Sequence, residues 1–185
     1  MIEQTYGPRR CRDSRKPPLS ECPDTFLYRC PVCGAVFTVS SFPNRKADEG
    51  SRQIRCCGET AERLVPKSLE EASLTEILSY KITGGYNDNA VQVSWKAYQK
   101  ELIPEWIYLK TFTGGYLKHV FPGKRPPMIF ALADLDAFAY CDEDPCLECT
   151  FRCKRGFIIY SYIKEKGLIE IPLDKMNPYW QSDAQ

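Results

Sequence analysis

The chain has 185 residues, 43% of them hydrophobic and 12% aromatic, enough to bury a packed core in one or two domains. Twenty-five Lys and Arg against twenty-four Asp and Glu give a net charge of +1, which argues against nucleic acid or an anionic membrane held by a broad electrostatic field. No apolar run approaches the roughly 18 residues a membrane span needs, and the start carries no apolar signal segment. The expectation is a cytoplasmic protein whose ten cysteines are reduced and serve metal or redox chemistry.

Residues 1–23 read as an extension, with Pro8, Pro17, Pro18 and Pro23 and five Arg or Lys between Arg9 and Lys16. Cys11 and Cys22 fall here with no ligand spacing and read as ordinary thiols, with extra ligands or redox-exposed sites as the alternatives. From Thr25 the pattern changes. Phe26-Leu27-Tyr28 and Val36-Phe37-Thr38-Val39 read as short strands flanking Cys30-Pro-Val-Cys33-Gly. The two-residue gap lets a tight turn aim both sulfurs at one point, with Gly34 free to take positive φ while backbone amides approach the sulfur.

Twenty-two residues later comes Cys56-Cys57-Gly58. Neighbours in an extended strand point to opposite faces, so both can reach one ion only if the backbone bends, which Gly58 permits. Cys30, Cys33, Cys56 and Cys57 are therefore expected to form one four-sulfur metal site. Residues 41–51 between the pairs read as a polar loop, 59–67 as a linker containing Pro66, and 68–72 as a short capped helical turn.

Six short strands follow at sandwich-like spacing, 77–82, 91–95, 106–109, 128–132, 137–140 and 157–163. Thr83-Gly84-Gly85-Tyr86 and Thr113-Gly114-Gly115-Tyr116 repeat nearly word for word and suit hairpins that need positive φ. The fold class is thus mostly β: a metal knuckle followed by an immunoglobulin-like antiparallel β-sandwich. Trp95, Trp106, Tyr108, Phe130, Phe138 and Tyr140 are assigned to the sandwich core. Lys118, Lys124 and Arg125 near Pro122-Gly123 read as a solvated basic turn.

A second cluster, Cys141-x4-Cys146-x2-Cys149-x3-Cys153, has room to converge on zinc, iron or an iron–sulfur cluster, and matches no single cluster signature. The interleaved Asp142, Glu143, Asp144 and Glu148 are explained by a solvated loop.

The order Cys-x-x-Cys-Gly, Cys-Cys-Gly, acidic turn and strands resembles that of the desulfoferrodoxins, which join a desulforedoxin-like domain to a superoxide reductase domain. Glu105-Trp106-Ile107-Tyr108-Leu109 with Gly114-Gly115 is similar to the family's Glu-Trp-Ile strand and Gly-Gly hairpin. Pro122-Gly123, Phe130, Ala139-Tyr140-Cys141 and Gly156 continue the match in order. The resemblance implies a desulforedoxin-like domain over 24–67, a superoxide reductase-like sandwich over 68–171 with a Cys-rich insertion at 141–155, and a tail over 172–185. It also implies iron or zinc in the first site, a redox partner protein, and a chain compatible with a homodimer.

The family reduces superoxide to peroxide at a ferrous iron held by four histidine nitrogens and one axial thiolate. Here Ser73-Leu74-Thr75, Lys96-Ala97-Tyr98 and Leu102-Ile103-Pro104-Glu105-Trp106 stand where the family has its histidine stretches. Cys141 and Gly156 keep only the ends of its Cys-Asn-x-His-Gly motif. The one histidine, His119, reads as a surface or packing residue. What remains is an iron-binding electron-transfer protein in which the second cysteine cluster replaces the histidine centre, with superoxide reduction weak or absent. The alternative is a non-catalytic zinc-binding interaction module.

Overall fold

The computed structural model describes residues 22–41, 53–84, 89–96, 100–137 and 154–173. The first unit is a small antiparallel sheet in the order β2-β1-β5, from β1 (Asp24–Arg29), β2 (Val36–Ser41) and β5 (Glu62–Arg63), beside a two-stranded hairpin of β3 (Arg55–Cys56) and β4 (Glu59–Thr60). Both strands foreseen beside the first cysteine pair are present. Residues 59–67, expected to be a linker, instead hold β4 and β5. Their end is bonded to the sandwich, with the Lys67 amide donating to the Leu168 carbonyl and the Glu170 amide to the Lys67 carbonyl, both at 2.9 Å.

The turn at 68–72 carries the reciprocal capping bonds its sequence encodes: the Glu71 amide donates to Ser68 Oγ (3.2 Å) and the Ser68 amide to Glu71 Oε2 (2.8 Å). Ser73, at φ 57°, ends it. The sandwich follows. One sheet has the order β10-β7-β6, from β6 (Leu78–Thr83), β7 (Ala90–Trp95) and β10 (Met128–Ala131). The other has the order β12-β11-β8-β9, from β8 (Trp106–Lys110), β9 (Gly115–His119), β11 (Ile158–Ile163) and β12 (Gly167–Pro172). All named strand pairs are antiparallel.

Leu78, Ile82, Val91, Val93, Trp95, Met128 and Phe130 from one sheet meet Ile107, Leu109, Ile159, Ile163, Ile169 and Ile171 from the other to make the main core. Cys22 belongs to this core, buried as a small apolar side chain. Ala137 ends a short helix (Asp134–Ala137) where a strand over 137–140 was expected; the rest of that segment, with Phe138 and Tyr140, lies outside the described residues. Its Asp136, 2% exposed, accepts bonds from the Phe112 and Thr113 amides and the Thr113 hydroxyl, so a buried carboxylate braces the β8–β9 turn.

Trp106 and Tyr108 are not in the sandwich core. They alternate with Ile107 and Leu109 along β8, so the period of two that buries Ile107 inward aims them at the opposite face. That face is covered by the cysteine unit: Leu27 of β1, with Val36 and Leu64 packed alongside, lies on a floor of Trp106, Tyr108, Tyr160, Tyr162 and Leu168. Trp106 and Tyr162 stack at 5.2 Å and 5°. Burial, with the charge of Glu170 adding to it, pushes the Tyr160 phenol up to about 12.

The second glycine of the Gly114-Gly115 turn answers to contact and not to turn geometry alone. A Cβ on Gly115 would overlap the Tyr108 ring and sit 2.7 Å from the Leu109 carbonyl oxygen. Gly115→Ala should therefore lower stability in urea unfolding by roughly 1–3 kcal/mol, the usual range for overpacking. In a cycle with Tyr108→Leu the two costs should be less than additive; strict additivity would show that the ring is not what excludes the methyl.

Candidate metal centre

Strand β1 delivers Cys30 to the start of a turn over Pro31, Val32 and Cys33. The turn is closed by the Gly34 amide donating to the Cys30 carbonyl (3.0 Å) and the Cys30 amide to the Ala35 carbonyl (2.9 Å). Amides of Cys33 and Val32 also point at Cys30 Sγ. These bonds, the Cys33 amide foremost, hold the Cys30 thiol down at about 7 against the opposing effect of burial. Amide donors of this kind stabilise thiolate charge in metal knuckles.

The second pair arrives on the β3–β4 hairpin. Cys56, the last residue of β3, pairs with Glu59, and Cys57 and Gly58 are the two turn residues, at φ 52° and 83°. Positive φ at both central positions is what a type I′ hairpin requires. It supplies the bend foreseen for the adjacent cysteines, since Cys57 leaves the strand's alternation and turns back beside Cys56. The Ala61 amide donates to the Ile54 carbonyl (2.7 Å), and β5 then returns the chain to β1.

The result is a four-sulfur cage. All four Sγ atoms lie within 4.8 Å of one another, with Cys33–Cys56 at 3.7 Å and Cys56–Cys57 at 3.8 Å. A tetrahedron with metal–sulfur bonds of about 2.3 Å has edges of about 3.8 Å, so a single ion fits this set. Cys30 is wholly buried, Cys56 is partly covered, and Cys33 and Cys57 are exposed. Without a metal the crowding resists ionisation: hydrogen bonding with Cys33, then Cys30, pushes the Cys56 thiol up to about 12, and contact with Cys33 raises Cys57 as well.

Arg29, unmarked by the sequence reading, sits between the knuckle and the sandwich. Its guanidinium lies under Gly34, 5.1 Å over the Tyr162 ring and 3.7 Å from Glu105. Its only sequence signal was adjacency to Cys30. The second proposed site, Cys141, Cys146, Cys149 and Cys153, lies outside the described residues, as does Cys11. Cys22 is apart from the cage.

Among the described residues, the positions set against the family's histidine stretches are not gathered into a polar site. Leu102 and Ile103 pack against the sandwich core, and exposed Lys96 pairs with Glu76 at 3.4 Å. His119 is an exposed residue of β9, in register with Trp106.

No protein-family profile matches the sequence, and no curated protein matches it significantly. Among solved structures, the chain is similar to the crystal structure of the superoxide reductase from Treponema pallidum. The TM-score is 0.51 with 17% identity, over 80% of this chain and 98% of that one. The shared property is the fold. The superoxide reductase fold accounts for the sandwich together with the small sheet before it, and this chain places four cysteines at the tip of that sheet.

Metal binding must displace the protons that crowding holds on Cys56 and Cys57, so affinity should rise with pH. Two protons lost per ion correspond to about a 100-fold gain per pH unit. Cobalt titrations followed by tetrahedral ligand-field absorption between pH 7 and 8.5 should show at least that slope; a flat profile would mean the ion does not bind these thiols.

Proposed function

We propose that the chain is an iron-binding electron-transfer protein built on the superoxide reductase fold, with Cys30, Cys33, Cys56 and Cys57 as the ligands of its redox centre. The observation that carries this reading is the cage of four sulfurs at tetrahedral spacing. Iron held by four thiolates supplies a one-electron ferrous–ferric couple. The chain's own residues do the rest. Amides of Cys33 and Val32 stabilise charge on Cys30, the Arg29 cation lies beneath the knuckle, and the docked sheet holds the geometry fixed.

Exposure of Cys33 and Cys57, next to Val32 at 63% exposure, brings one edge of the centre to solvent where a redox partner protein can approach. Cys141, Cys146, Cys149 and Cys153 are proposed as a second metal site in place of the family's histidine centre. Superoxide reduction of the family type is proposed to be weak or absent, since Leu102 joins the apolar packing and His119 lies out on an exposed strand.

The closed set of four cysteines equally suits zinc, which gives the alternative of a non-catalytic interaction module whose metal supplies folding free energy only. Protein isolated anaerobically and loaded with ferrous iron should show thiolate-to-iron charge-transfer bands on oxidation that bleach with dithionite and are lost in Cys57→Ser. A colourless, zinc-filled protein under aerobic and anaerobic conditions alike would overturn the redox reading. A pulse of superoxide should oxidise the reduced protein only slowly; fast superoxide-dependent oxidation would restore the family activity.

A further inference from the structure

Among the described residues, strand β9 is the edge of its sheet, and all five of its residues are exposed. The ladder it makes with β8 fixes which backbone groups face outward. Thr111 donates to the Gly114 carbonyl and Val120 to the Glu105 carbonyl, both at 2.9 Å. Hydrogen-bonded pairs alternate in an antiparallel ladder, so the intervening register turns Tyr116 and Lys118 toward β8. The N–H and C=O groups of Gly115, Leu117 and His119 are thereby directed to the open edge.

A groove of about 500 Å³ runs beside this edge, lined by Lys118, His119, Phe121, Lys124, Met128 and Ile129, with Pro127 at its end. It bridges the two sheets, because Lys118 Nζ crosses to the Ile129 carbonyl (2.6 Å) over the Phe130 ring, and Lys124 Nζ holds the Pro127 carbonyl (3.1 Å). Lys118 and Lys124, which read in sequence as parts of a solvated turn, are thus built into a wall. Each ammonium keeps donors beyond the one these bonds use. Among the described residues, no acidic side chain lines the groove. Of the six large apolar side chains left exposed among the described residues, four, Tyr116, Leu117, Phe121 and Ile129, lie on β9, just after it, or on β10.

We propose that β9 and this groove dock an extended acidic and apolar segment of a partner protein, which adds a strand to the sheet. Backbone groups of Gly115, Leu117 and His119 pair with the segment, its carboxylates face the groove and meet Lys118 and Lys124, and its alternate, apolar side chains cover Leu117 on the opposite face. A second copy of this chain is the weaker occupant. In an antiparallel pairing of two β9 strands centred on Leu117, Lys118 falls opposite Tyr116 and His119 opposite Gly115, so the facing strand offers no carboxylate to Lys118.

The test uses the full chain and a fluorescent octapeptide of alternating Glu and Val, read by anisotropy. The acidic peptide should bind at least about tenfold more tightly than its Lys–Val counterpart and weaken as salt is raised. N-methylation of alternate amides along one peptide edge should abolish binding, and this needs no change to the protein. Lys118→Ala/Lys124→Ala should cost about tenfold or more, and Leu117→Glu, at an exposed position, should do likewise if loss of the Lys118 bond unsettles the first variant. Equal binding of the two peptides, or indifference to N-methylation, overturns the proposal. So does sedimentation showing self-association that Leu117→Glu abolishes, which would make the occupant a second copy.

Discussion

Docking of the cysteine sheet on the outer face of the sandwich is the contact on which the rest of the molecule depends. A three-stranded sheet beside a two-residue-per-strand hairpin encloses almost no core, and sheets this small are marginal by themselves. Here Leu27 closes on Trp106, Tyr108, Tyr160, Tyr162 and Leu168. At about 1.5–3 kcal/mol for each fully buried large apolar side chain, the interface contributes on the order of 10 kcal/mol before entropy is counted. The same contact completes β8 and β11, whose outward aromatics would otherwise face water.

The position of the sulfurs descends from that contact. Leu27 is three residues before Cys30, and β1 carries the docking through the strand into the knuckle. The hairpin bearing Cys56 and Cys57 has no core of its own and is located by β5 returning to β1, with Leu64 donating to the Leu27 carbonyl at 2.8 Å. The chain then leaves through Lys67, bonded on both sides to β12. Both cysteine pairs are thus referred to one strand, which explains how ligands separated by twenty-two residues reach tetrahedral spacing. The Arg29–Glu105 ion pair crosses the same seam but is partly exposed and long, so packing outweighs it.

The cage was legible in the sequence because its determinants are local: a two-residue gap, an adjacent pair and a glycine at each turn. So was the capping box at Ser68 and Glu71, and so were five of the six expected strands. Within the sandwich two strands were missed for different reasons. β9 has no buried face, so its sequence shows no alternation to read. β12 carries the adjacent apolar pair Leu168-Ile169 in place of strict alternation and ends at Pro172, which masked it. The assignment of Trp106 and Tyr108 to the sandwich core failed although the signal was present. Trp106-Ile107-Tyr108-Leu109 is a continuous apolar run, the signature of a strand buried on both faces, and a second covering layer follows from it.

Leu69, Ile77, Leu102, Ile103 and Val120 pack against the core of the sandwich and extend its apolar surface. A sandwich closed in this way is a rigid base for the layer above it. On the reading proposed above, the first centre lies at the tip of the small sheet, with Cys30 toward the protein and Cys33 and Cys57 toward water. Electrons then enter and leave that centre by the same exposed edge, so donor and acceptor must visit it in turn. Sequential use of one edge favours weak, short-lived encounters there, whereas the groove beside β9 is the surface on which backbone pairing can hold a partner for longer.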